Sequence, residues 1–158
     1  DISGTSQTGR GVNFEINWGP VLVEGNLFLN NQGPALAITN TAGVTVRNNL
    51  IGSNFRSITF MDVDRGTTSA GQPMFPTKNA TIKGNQFKDW TNFDCQQSGG
   101  LLSSPLTANI VSDSNTYQPV TETRVTYWPS NGSAYTIADL RTKYGWELNG
   151  KFASITVP

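Results

Sequence analysis

The chain has no histidine and only one cysteine, Cys95, among its 158 residues. Histidine-based triads and zinc sites are thereby excluded, no internal disulfide can form, and Cys95 reads as a small buried hydrophobe. Charge is also scarce: 14% of residues are charged, and 11 basic residues balance 11 acidic ones. There is thus no basic footprint for nucleic acid and no polybasic patch for a membrane surface, and a neutral or weakly charged partner is expected. No apolar run reaches the roughly 20 residues that span a bilayer. The first residue is Asp1 rather than Met, as expected of a processed or excised segment. No cofactor and no metal are expected.

What is present is a core. Hydrophobic residues make up 36% of the chain, including eight Phe and four Trp, which is ample for a single domain of this size. The polar bulk comes from Asn, Thr, Ser, Gln and Gly. This uncharged, turn-rich composition suits an all-β protein that is secreted or held at the cell surface.

An imperfect repeat organises the sequence: VLVEGNLF (21–28), VTVRNNLI (44–51) and ATIKGNQF (80–87), with a weaker copy leading into SNTY (114–117). A second alternating series precedes these copies, VNFEIN (12–17), ALAITN (35–40) and SITFMDV (57–63). Aligning Phe14, Leu36 and Ile58 gives steps of 22 residues (36−14 and 58−36), and Asn26 to Asn49 gives 23 (49−26). Two interleaved strand series at one spacing predict one coil per repeat with parallel strands stacked about 4.8 Å apart. The expected fold is all-β, a parallel β-helix solenoid. Asn26, Asn49 and Asn85 tolerate the left-handed backbone of a sharp corner and can hydrogen-bond between coils, so they are read as scaffold. Phe28, Ile51, Phe87 and Tyr117 are expected to stack inside.

The spacing lengthens twice. An insertion, DRGTTSAGQPMFPTK (64–78), separates Asn49 from Asn85, and KDWTNFDCQQSGG (88–100) follows the third copy; long loops of this kind often carry function. After Pro119 the repeat fades and TIADLRTKYG (136–145) takes helical spacing. Thr136 is the expected N-cap, Asp139 its capping-box partner and Gly145 the C′ residue. Residues 1–119 are therefore read as coils and 120–158 as a C-terminal cap, since a solenoid needs its last coil covered. The first coil begins too near Asp1 to carry a matching cap, which predicts an upstream chain segment or a partner subunit completing the solenoid.

If Phe14, Ile16, Leu36 and Ile38 point inward, alternation places Asn13, Glu15, Asn17, Ala37 and Thr39 outward. Glu15 then stands among small neighbours, with room for a flat or extended ligand. Trp18, Asn40 and Asp62 are expected to share a corner, with Asp64 and Arg65 at the mouth of the insertion. Glu15 and Asp62, two coils apart, should be about 10 Å from each other, compatible with the roughly 6.5–9.5 Å of inverting glycosidases. Glu15, Asp62 and Asp64 are the candidate catalytic residues, and Asn17, Trp18, Thr39, Arg65 and Trp90 the candidate substrate contacts. On the other outward row Glu24, Arg47 and Lys83 form a charge ladder; Arg47 and Lys83 would instead suit a uronate substrate under a lyase reading.

The V-x-V-x-x-N-x-F copies at 21–28, 44–51 and 80–87 resemble the right-handed parallel β-helix proteins of the pectin-lyase-like superfamily over roughly residues 11–117. The ending YTIADLRTKYGWELNG (135–150) is similar to the tail of secreted bacterial β-helix proteins. The resemblance implies a carbohydrate-active protein with its site on the outer face of one parallel sheet. A glycoside hydrolase acting on an extended polysaccharide or oligosaccharide is the expected activity. The alternatives are a polysaccharide lyase or a non-catalytic module that binds glycan or mediates assembly. No catalytic motif of the superfamily transfers residue by residue, because the Asp pair with His of its hydrolases and the Asp-rich calcium cluster of its pectate lyases are missing.

Overall fold

A computed structural model describes residues 2–3, 11–17, 19–54, 56–63, 66–67, 69–71, 76–89, 93–97, 109–119, 124–127 and 134–158. Its strands are β1 (Ile2–Ser3), β2 (Val12–Glu15), β3 (Val21–Glu24), β4 (Leu27–Leu29), β5 (Pro34–Thr39), β6 (Val44–Arg47), β7 (Leu50–Gly52) and β8 (Arg56–Asp62). They continue with β9 (Thr81–Lys83), β10 (Gln86–Asp89), β11 (Phe93–Gln97), β12 (Val111–Asp113), β13 (Thr116–Pro119), β14 (Arg124–Tyr127) and β15 (Ala134–Thr136). Helix α1 (Ile137–Tyr144) and β16 (Lys151–Phe152) complete the chain.

The architecture is all-β, and its sheets are built by parallel pairing. Sheet 1 has the order β1-β4-β7-β10-β13-β16, sheet 2 the order β2-β5-β8-β11-β14-β15, and sheet 3 the order β3-β6-β9-β12. From β1 to β14 the chain visits sheets 1, 2 and 3 in rotation, and one such circuit is a rung. The only antiparallel pair among these strands is β14 with β15. Local sequence dictates the rotation: alternating V-x-V and I-x-F strands put one apolar row on the inner face, and polar corners interrupt them, two residues long from sheet 3 to sheet 1 and longer elsewhere.

The inner rows stack in register. Phe28 pairs with Ile51, Ile51 with Phe87 and Phe87 with Tyr117, and the last two rings lie 5.1 Å apart, stacked. Val23, Val46 and Ile82 make a second inner row, and Leu36 with Ile58 and Ile38 with Phe60 a third. All are buried in one cluster, and burial of such side chains is worth about 1.5–3 kcal/mol each before entropy is counted.

Register at β2 departs from expectation. Val12 pairs with Leu36 and Phe14 with Ile38, so the step from β2 to β5 is 24 residues (38−14) while that from β5 to β8 is 22 (58−36). Ile16 is not an inward strand residue; it leaves the strand with φ 57° and forms a corner. The 88–100 segment also differs from an excursion, since Phe93–Gln97 is strand β11, paired parallel to β8. Sheet 2 then continues past Pro119 through β14.

Each sheet ends in the same bend, a left-handed residue followed by a polar one. After sheet 3 the pairs are Gly25–Asn26, Asn48–Asn49, Gly84–Asn85 and Ser114–Asn115, with φ of 68°, 56°, 66° and 60° at the first residue. After sheet 1 they are Asn30–Asn31 and Ser53–Asn54, and after sheet 2 Ile16–Asn17 and Asn40–Thr41. The expected ladder runs through the first set. Asn26, Asn49 and Asn85 each donate both the backbone N–H and Nδ2 to Oδ1 of the next asparagine, at 2.8–3.2 Å. Asn31 repeats this with Asn54 Oδ1 at 2.9 and 2.7 Å. At the third corner Thr41 Oγ1 bonds the Phe14 and Thr39 carbonyls.

Helix α1 forms where expected. Thr136 and Asp139 make the capping box, and Gly145, φ 67°, returns its N–H to the last turn, ending the helix in the left-handed conformation glycine permits. Ile137, Leu140 and Trp146 join the core, and the Trp146 indole N–H donates to the Ile110 carbonyl at 2.9 Å. Glu147 then ends the asparagine ladder. It is fully buried; its Oε1 accepts from Asn115 Nδ2 (2.7 Å), Ser112 Oγ (2.5 Å) and Tyr117 OH (3.0 Å), and its Oε2 from the Asn115 N–H (3.2 Å).

Candidate functional site

The outward row of sheet 2 contains the sequence candidates. Glu15 pairs with Thr39 and Thr39 with Met61, while Asn13 pairs with Ala37 and Ala37 with Thr59. Glu15 is half-buried and accepts from Asn13 Nδ2 at 3.2 Å. The row is not the open shelf that small neighbours predict. Ala35, Ala37, Ser57, Thr39 and Thr59 are all buried, the last two at 2% and 1% exposure.

Asp62 closes β8 and is buried. Its Oδ1 accepts the Thr77 N–H at 2.7 Å, and Thr77 Oγ1 donates to the Met61 carbonyl at 3.0 Å. Asp62 thus ties the two ends of the insertion together at the return to sheet 3. Burial pushes its carboxyl above the ordinary 3.8, against the pull of the Thr77 hydrogen bonds. Met61 shares the outward row with Glu15, so alternation turns Asp62, one residue on, to the other face. The strands do not set Glu15 and Asp62 against each other across one surface. Asn17 sits in the corner after β2, its carbonyl accepting the Ala42 N–H at 3.1 Å. Trp18, Asp64, Arg65 and Trp90 lie outside the described residues.

A concave site forms elsewhere, at the corner between sheets 3 and 1. It is a groove of about 340 Å³ that crosses three successive rungs, floored by Leu27 and Leu50. Asn26, Asn48 and Gln86 present amides to it, and Gly25, Gly84 and Pro158 complete its walls. Glycine opens this corner: a side chain on Gly84 would press against Asn48 Oδ1, 2.7 Å from its Cβ. Beside the groove, Arg47 Nε and Glu24 Oε1 pair at 2.8 Å, and that hydrogen bond holds the Glu24 carboxyl below its ordinary value. Lys83 is in register with Arg47, so the charge ladder lies along the flank of the groove. Sequence reading assigned Asn26 and Asn49 to the scaffold and gave Asn48 no role; the overlooked signal is the alternation of Gly and Asn at positions 25, 48 and 84, which leaves the corner cut away.

Among the described residues no group of three or more His, Cys, Asp or Glu is placed to hold a metal ion, and no helix is long and apolar enough to cross a membrane. Comparison with known proteins finds no family model, curated protein or solved structure that matches the chain.

Proposed function

We propose that the chain is a run of rungs of a right-handed parallel β-helix, as its resemblance to the pectin-lyase-like superfamily implies, and that it binds an extended, near-neutral glycan outside the cytoplasm. Three sheets visited in rotation and in register support the fold reading. The observation that carries the glycan reading is the corner groove. Amides of Asn48 and Gln86 suit sugar hydroxyls, and the Leu27 and Leu50 side chains suit the apolar faces of the rings. A linked chain of rings laid along the stack meets equivalent groups once per rung, about every 4.8 Å. On the flank Glu24 neutralises Arg47 and Lys83 leaves one net positive charge, which suits a near-neutral polymer better than a dense polyanion.

The test is calorimetric titration of the protein with a panel of neutral and acidic polysaccharides. A neutral member should bind, and Gln86→Ala should weaken it about fivefold, the value of one net hydrogen bond. If nothing in the panel binds, or Gln86→Ala binds like the parent chain, the groove reading is lost.

A further inference from the structure

The C-terminal cap carries an Asn-Gly pair, Asn149–Gly150. Asparagine is a thermolabile residue, and glycine after it presents the least hindered backbone nitrogen to the side-chain amide. The pair lies in the tight turn Glu147–Gly150, closed by the Gly150 N–H donating to the Glu147 carbonyl at 3.1 Å. Asn149 is exposed and Gly150 buried. Both reacting groups are engaged. Asp113 receives Asn149 with its two oxygens, Oδ1 taking the N–H and Oδ2 the Nδ2, each at 2.9 Å. Burial would raise the Asp113 carboxyl, but hydrogen bonds from Asn149 and Ser114 outweigh it and hold it below the ordinary 3.8. At neutral and alkaline pH the acceptor is therefore a full carboxylate. Arg141 fixes the turn from α1, donating Nε to the Glu147 carbonyl and Nη2 to the Gly150 carbonyl, both at 2.8 Å.

We propose that Asn149 is a deamidation site held in check by Asp113, and that its conversion loosens the C-terminal cap. In the reaction the Gly150 nitrogen loses its proton to hydroxide and attacks Asn149 Cγ. The new N–C bond forms as the Cγ–Nδ2 bond breaks, ammonia leaves with a proton from water, and one water then opens the cyclic imide to aspartate or isoaspartate. No other reactant is needed. Attack requires the Gly150 N–H to leave the Glu147 carbonyl and the Asn149 side chain to turn from Asp113 toward its own backbone. The rate therefore follows local opening of the turn. The products cannot remake the contact. Aspartate at position 149 brings no side-chain donor to Asp113 and sets carboxylate against carboxylate. Isoaspartate adds a backbone carbon to the turn that seats Glu147 on Asn115.

The test is incubation of the full chain at mildly alkaline pH, followed by peptide mapping with mass spectrometry and isoaspartate detection, beside the synthetic peptide ELNGKF, which copies residues 147–152. Mapping separates the site from the chain's other Asn-Gly pair, Asn131–Gly132, which lies outside the described residues. Asn149 in the folded chain should convert about tenfold more slowly than in the peptide, the value of one charge-assisted hydrogen bond that must first break. Asp113→Ala should recover most of that factor, and Asp113→Asn, which keeps one accepting oxygen, should fall between. Urea unfolding reads the consequence for the cap. Asn149→Asp should lower the midpoint more than Asn149→Ala, and the excess should vanish when each is combined with Asp113→Ala. Equal rates in chain and peptide would overturn the proposal, as would Asp113 variants, folded by circular dichroism, that convert no faster than the parent. So would an Asn149→Asp chain as stable as Asn149→Ala.

Discussion

At Glu147 the ladder changes from amide to carboxyl, and the neighbouring glycine explains how. Asn49, Asn85 and Asn115 each stand one residue before a strand of sheet 1; Gly150 holds that position before β16, its successor Lys151 donating to the Asn115 carbonyl at 3.0 Å. A Cβ at Gly150 would run into Oε2, Cβ and Cδ of Glu147, so the Glu147 side chain fills the place of a fifth ladder residue. It acts only as an acceptor, and among the described residues no further ladder residue follows it. Glu147→Gln turns one of two accepting atoms into a donor facing Asn115 or its partners, and should cost about 2–3 kcal/mol in denaturant unfolding. Gly150→Ala should also destabilise, but combined with Glu147→Ala its additional cost should shrink below about 1 kcal/mol, since the obstructing side chain is gone. Additive losses in that cycle would disprove the shared space. Asp62 gives a pH signature. Its native carboxyl titrates above 3.8 because it is buried, so the native state keeps its proton where the unfolded chain has lost it. Stability therefore declines as pH rises from about 4 through the native value. Asp62→Asn, which retains an acceptor for Thr77, should remove that slope in urea titrations at successive pH values; an unchanged slope would place its origin elsewhere. None of this was legible in the sequence. A lone Glu between Trp146 and Leu148 reads as a solvated charge, and nothing repeats to mark it as the end of a series.

Strands and corners were legible to different degrees for a physical reason. The VLVEGNLF type of copy shows both its inner row and its Asn, so β3, β6 and β9 and the first corner follow directly from pattern. The Asn31–Asn54 corner carries the same bonds, but its copies, LNN and GSN, are too short and too different to stand out. The third corner uses Thr41 where the others use Asn. Misregister at β2 has one cause: Ile16 is aliphatic and alternates with Phe14, so pattern makes it an inward strand residue, whereas its φ of 57° makes it the bend. A β-branched residue pays about 1–2 kcal/mol for that conformation. Asn40 holds the equivalent place one rung on, φ 43°. Ile16→Asn should therefore raise stability by about 1 kcal/mol in thermal or urea unfolding. A loss instead would mean that the half-buried Ile16 side chain packs more favourably than the bend is strained.

For the whole molecule, stacking makes stability a sum over neighbouring rungs, and the ends decide where opening begins. The C-terminal end is held by a capped helix, a buried indole and a buried carboxyl group. The N-terminal end offers half-buried Val12, Phe14 and Val21 and an exposed Asn26. Amide hydrogen exchange should then be fastest in β2 and β3 and slowest through β6, β9 and β12, with the last rung closer to the middle than to the first. Substitution along the one ladder should follow the same gradient. Asn49→Ala removes the acceptor for two Asn26 donors and leaves Asn85 Oδ1 and the Val23 carbonyl short of bonds inside the core, a loss of about 3 kcal/mol. Asn26→Ala removes side-chain bonds at an exposed end and should cost below about 1 kcal/mol. Equal losses at the two positions, or uniform exchange across the rungs, would mean that the chain unfolds as one unit and that its N-terminal edge is held as firmly as its centre.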